Sequence, residues 1–137
     1  MNAEQKQAIR LKLKKAKALL SEADVLFQNR FYATVINRLY YSCFHATKAL
    51  LLTKDIIPKT HSGVIHQLHL YFVQTGNFDS ANASFFSRLM QERIEEDYTD
   101  VIMEDEETTR SFIEPARKYV LYIEMLIEKT FSEDTGS

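Results

Sequence analysis

A chain of 137 residues with 45% hydrophobic and 26% charged residues has the profile of one soluble globular domain, too short for two ordinary cores. Three Gly and two Pro exclude a turn-rich sandwich or barrel, and the lone Cys43 excludes an internal disulfide and fits a reducing cytoplasm. The net charge of −2 hides an asymmetry, with ten Lys/Arg against three Asp/Glu in residues 1–54 and seven against sixteen in residues 55–137. Such separation fits pairing between molecules, a basic phosphate-binding surface beside an acidic one, or two solvated helix faces of opposite sign.

The first helix is expected over residues 3–28, where Ile9, Leu13, Ala16, Leu20, Ala23 and Phe27 form one apolar stripe. Its other faces carry Lys6, Arg10, Lys12, Lys14, Lys15 and Lys17, with no apolar segment of signal-peptide type. Asn29 is a plausible stop, and a second helix follows over Phe31–Thr53. Residues 54–59 form a connector, with Pro58 holding Ile57 out of the helical region. Thr60 or Ser62 caps a third helix built on Val64, Ile65, Leu68, Phe72 and Val73, and Gly76-Asn77 ends it. A fourth begins at Asp79 or Ser80, buries Phe85, Phe86, Leu89, Met90 and Ile94, and ends near Tyr98. A fifth runs from about Asp105 to Phe131, and Pro115 implies either a kink or a start near Glu114. The expectation is an all-α, up-and-down four-helix bundle with one additional helix. A single domain would cover residues 1–132, followed by a disordered tail at 133–137. No apolar run approaches the eighteen residues of a membrane span.

Helix two departs from simple amphipathicity. Ile36, Tyr40, Cys43, Phe44, Thr47 and Leu51 share one sector, while Arg38, Tyr41 and His45 fall together on the opposite side, flanked by Asn37 and Lys48. No carboxylate occurs between Phe31 and Lys54. A helix that lacks a solvent-type face needs cover on a second side, so its embedded polar stripe is either a satisfied network or a site.

Three stretches carry a resemblance: Asn37-Arg38-Leu39-Tyr40-Tyr41-Ser42-Cys43-Phe44-His45-Ala46, Pro58-Lys59-Thr60-His61-Ser62-Gly63-Val64-Ile65, and Arg93-Ile94-Glu95-Glu96-Asp97-Tyr98. Together and in this order they resemble the small stand-alone prokaryotic proteins of the HEPN superfamily, over roughly residues 5–130. The resemblance implies a helical bundle, usually a homodimer, and in many members a metal-independent endoribonuclease acting as a toxin beside a small nucleotidyltransferase. It also implies a catalytic Arg followed by a His, which Arg38 and His45 match with six residues between them. The family's small polar residue directly after the Arg is replaced by Leu39, and the polar neighbour here is Asn37. Other members of the superfamily are inactive and bind only nucleotides or partners. A non-catalytic module, docking a nucleotidyltransferase as accessory or antitoxin subunit, is therefore the alternative.

Metal-free RNA cleavage needs a base for the 2′-hydroxyl, an acid for the leaving oxygen and positive charge for the phosphorane, roles suited to His45 and Arg38. One protomer offers one such His and a dimer offers two. Tyr41 either orients the base, binds phosphate or anchors an interface. Lys59, Thr60 and His61 at the start of helix three suit a phosphate, or Thr60 is an ordinary N-cap. Arg93 and Asp97, four apart, read as a structural pair that Tyr98 closes. His66 and His69 lack further ligands nearby, so neither metal nor cofactor is expected.

Overall fold

The computed structural model describes residues 1–98 and 105–135, the side chains of 94–98 and 135 excepted. Every element among the described residues is helical, in the order α1 (Ala3–Gln28), α2 (Tyr32–Leu52), α3 (His61–Leu68), α4 (Ser80–Tyr98) and α5 (Glu106–Thr135). A π-helical turn, His69–Val73, prolongs α3. No described helix is long and apolar enough to cross a membrane.

The helix starts follow local hydrogen-bond chemistry. Asn2 and Gln5 form a reciprocal capping box on α1. Thr60 Oγ1 accepts from Gly63 N–H at 2.9 Å, Asp79 Oδ2 accepts from Asn82 N–H at 3.0 Å, and Asp105 Oδ1 accepts from Thr108 N–H at 2.7 Å. A Cβ at Gly63 would lie 2.8 Å from Thr60 Oγ1 and would push the capping hydroxyl aside, so glycine suits this place. At the other ends, Arg30 (φ 64°) and Asp55 (φ 58°) take the left-handed conformation after α1 and α2, and Gly76 (φ 79°) does so after the π turn. Phe31 N–H donates to Leu26 C=O and Ile56 N–H to Leu51 C=O, closing both helices with the six-to-one bond of a Schellman turn.

Helix α2 is the axis of the fold and packs against α1, α3, α4 and α5. Tyr40, Phe44, Leu51, Leu68, Phe72, Phe86, Leu89, Val120 and Ile123, the expected core, are all buried. Small side chains (Ala16 and Ala23 on α1, Ser42, Ala46 and Ala49 on α2) are buried where those two helices meet. Ser42 Oγ donates to Ala16 C=O at 2.6 Å, so the two backbones approach closely. Thr47 Oγ1 meets both Cys43 C=O (2.7 Å) and the Tyr119 hydroxyl (2.6 Å), which satisfies these buried polar groups without charge.

At α5 the structure decides one alternative and moves one boundary. The helix runs through Pro115 without restarting near Glu114. It also continues past Phe131 to Thr135, so three residues of the expected tail are helical and 136–137 lie outside the described residues. Asp134 receives the Met1 amino group at 3.2 Å and Lys6 Nζ at 3.4 Å, which ties this last turn to the start of α1.

Part of the charge asymmetry is paired within the chain. Arg10 pairs with Glu128, Lys17 with Glu124 and Asp24 with Arg117, a ladder of ion pairs between α1 and α5. Such exposed pairs are each worth well under about 1 kcal/mol, but they account for one edge of the basic helix. Its other edge, Lys12 and Lys15, has no carboxylate partner among the described residues and faces α2.

Candidate functional site

Helices α1 and α2 run antiparallel, which sets Glu22 against Arg38 and Lys15 and Lys12 beside His45 and Lys48. Asn37, Arg38, Tyr41, His45 and Lys48 are each half-buried, along one side of a helix whose other sides are closed by the core. Arg38 and His45 lie two helical turns apart, about 10.5 Å along the axis, with Tyr41 between them. The Arg38 guanidinium is held by Glu22 Oε2 (3.1 Å to Nε) and Asn37 Oδ1 (2.8 Å to Nη1). Leu39 is fully buried in the core. The residue following Arg38 therefore does not face the site, and the polar neighbour touching the guanidinium is Asn37.

His45 lies in a positive field. Burial pushes its pKa down from 6.5 to about 4, and Lys15, Lys48, Lys12 and His61 push in the same direction. The ring is therefore neutral near pH 7. Burial, followed by Lys48 and Lys15, likewise lowers Lys12. Tyr41 and Phe44 flank the imidazole at ring-centroid distances of 6.3 and 5.6 Å. Among the described residues no carboxylate is bonded to His45.

The start of α3 brings a second imidazole to the same place. His61 stacks on Phe44 (4.5 Å, 16°) and meets Tyr41 edge-on at 5.9 Å. Its Nδ1 lies 2.7 Å from the Tyr40 hydroxyl, and Tyr40 is itself fully buried. Burial lowers the His61 pKa first, then Arg93 and Lys48. The Arg93 guanidinium from α4 lies over the Tyr40 ring at 4.8 Å and near that of Tyr41 at 5.8 Å.

The structure thus brings together Asn37, Arg38, Tyr41, His45, His61 and Arg93. Lys59 and Thr60 are exposed just before α3, where Thr60 serves as the N-cap. The side chains of Asp97 and Tyr98 lie outside the described residues. Lys48, which flanks the stripe in the sequence, and Lys12 and Lys15, which the helix pattern does not assign to it, complete the positive field. The available signal was the basic side of α1, but which of its lysines turn toward α2 depends on how the two helices pack. No group of three potential metal ligands gathers among the described residues.

An uncharged imidazole beside cations, with a guanidinium on the same stripe, can bind a phosphodiester and accept a proton near it. Comparison with known proteins shows the family to which the chain belongs. A model of the HEPN domain matches residues 9–126. The chain is 36% identical over 120 residues to a protein of Methanocaldococcus jannaschii named "Putative toxin", covering 88% of this chain and 89% of that one. A second protein of that organism with the same designation is 33% identical over 102 residues, covering 74% and 69% of the two chains. A "UPF0332 protein" of Thermotoga maritima is 32% identical over 115 residues, covering 84% and 87%. With the matched region spanning α2 and the site stripe from end to end, the chain belongs to the HEPN domain family.

Proposed function

We propose that the chain is a metal-independent endoribonuclease acting in the cytoplasm, the toxin of a pair whose other member is a nucleotidyltransferase-family protein. The observation that carries this reading is the half-buried stripe of Arg38, Tyr41 and His45, set in the field of Lys12, Lys15 and Lys48. In the proposed reaction His45, neutral at pH 7, removes the proton of a 2′-hydroxyl, and Arg38 steadies the charge gathering on the phosphorane. Arg38 leaves Glu22 to do so, an exchange of small cost because that ion pair is exposed on both sides. Asn37 keeps the guanidinium oriented during the exchange, in the place that a polar residue after the Arg would have filled. The toxin designation of the relatives from Methanocaldococcus jannaschii supports the biological role.

The test is purified protein incubated with mixed RNAs in excess EDTA. Cleavage should persist, and the new ends should be 2′,3′-cyclic phosphate and 5′-hydroxyl. Arg38→Lys should reduce the rate, since a point charge does not reproduce the planar fork. Wild-type protein that leaves every RNA intact, yet binds a nucleotidyltransferase tightly, would replace this reading with the non-catalytic one.

The reading includes a homodimer with the stripe beside its two-fold axis. Lys15 and Glu22 place the outer edge of α1 next to the stripe, and on that same edge Leu11 and Val25 are 58% and 59% exposed. Helix α2 has no solvent-type face on this side, so the stripe wants the cover that a second copy supplies. Light scattering at high micromolar concentration should return twice the chain mass, and a strictly monomeric protein would count against the dimer.

A further inference from the structure

An acid–base cleavage needs two proton-transfer groups, and a dimer would provide the second one only by sharing a site across its axis. The fold suggests a closer source. His45 and His61 come from different helices, yet both rings touch Tyr41 and Phe44. Stacking on Phe44 fixes the plane of His61, and the Tyr40 hydroxyl at 2.7 Å engages Nδ1, which leaves Nε2 as the nitrogen free to face a ligand. Tyr40 is immobilised in turn by burial and by stacking on Phe86 at 5.9 Å. Its hydroxyl donates to Nδ1 of a neutral imidazole and accepts from Nδ1–H of an imidazolium, so it supports His61 in both states.

We propose that His61 is the general acid of the cleavage, with Tyr40 as its positioning residue, so that each chain carries a complete proton-transfer pair. This rests on the ribonuclease reading above. In the step, His45 takes the 2′-hydroxyl proton as the O2′–P bond forms. The P–O5′ bond breaks with its electron pair going to O5′, and His61 Nε2 delivers a proton there. The products are a 2′,3′-cyclic phosphate and a 5′-hydroxyl. Water then exchanges protons with the two rings and restores the starting state. The groups facing the pair are Lys12 and Lys15 on α1, Tyr40, Tyr41 and Lys48 on α2, and Arg93 on α4. Burial first, and then these cations, hold both imidazole pKa values below the ordinary range, so the rate should peak on the acidic side of pH 6.5.

Dependence on the leaving group separates an acid from a structural residue. A 5′-alkoxide needs protonation, whereas 4-nitrophenolate leaves without it. His61→Ala and His61→Gln should each cleave RNA about 10²-fold more slowly than wild type, with the alkaline limb of the pH profile lost. Their loss in releasing 4-nitrophenolate from a mixture of the four nucleoside 3′-(4-nitrophenyl phosphates) should be about tenfold or more smaller than their loss on RNA. Retained aryl-ester cleavage also shows that the variants are folded. Tyr40→Phe should shift the alkaline limb without abolishing it. Full RNA cleavage by either His61 variant, or equal losses on RNA and on the aryl esters, overturns the assignment and leaves the ribonuclease reading standing. Wild-type protein inert on both substrates overturns both.

Discussion

Replacing His45 by Ala should lower RNA cleavage by about 10²-fold or more, with the helical content unchanged. His45 is half-buried and packs edge-on against Phe44, so an Ala there removes the base without opening the fully buried core. The same substitution should alter how stability depends on pH. In the folded chain this imidazole holds its proton only below about pH 4, against 6.5 for an ordinary histidine. As the pH falls from 6.5 toward 4 the unfolded chain takes up the proton first, so stability present above 6.5 is progressively lost. Wild-type thermal midpoints should therefore decline across that window more steeply than those of His45→Ala. Undiminished cleavage by the variant would end the assignment of His45 as base.

The largest effect on stability is expected from Phe86→Ala, at roughly 3–5 kcal/mol, or on the order of 10 °C or more in Tm. Phe86 is fully buried on α4, stacks on Tyr40 at 5.9 Å and meets Tyr119 at 5.4 Å. Its removal would leave a cavity between α2, α4 and α5, at the junction where the long helices share their aromatic layer. Because Tyr40 holds His61, the loss should also reach the site. Chemical denaturation checks the magnitude, and a variant within about 1 kcal/mol of wild type would show that neighbouring rings collapse into the space.

The parts legible in the sequence are those governed by one helix at a time. The apolar stripe of α1 gave its full span, Thr60 and Asp79 announced their helices through capping chemistry, and Gly76 marked a left-handed stop. Arg30 and Asp55 adopt the same left-handed conformation without being glycine. They are held by backbone bonds of the Schellman turns, so nothing in their side chains signals it. The π turn after Leu68 was likewise hidden, because its residues continue the apolar pattern of α3. In the site, Arg38, Tyr41 and His45 were visible together, since a single helix carries them. The stacking of His61 on Phe44 depends on the path of the connector at 53–60. The turn of Lys12 and Lys15 toward His45 depends on how closely small residues let α1 approach α2. Both are tertiary facts, and no periodicity encodes them.

The two edges of α1 have different electrostatic fates, and this has a consequence for how the protein responds to its surroundings. Along α5 the lysines and arginines find counter-charges inside the chain, whereas Lys12, Lys15 and Lys48 crowd around a neutral ring. The mutual repulsion of these ammonium groups opposes the packing of α1 on α2. A polyanion seated among them would act as the missing counter-ion, binding the folded state better than the unfolded one and adding RT ln(1 + [L]/Kd) to its stability. Substrate occupancy and cohesion of the bundle would then be two readings of one free energy, both screened by salt as the Debye length shortens.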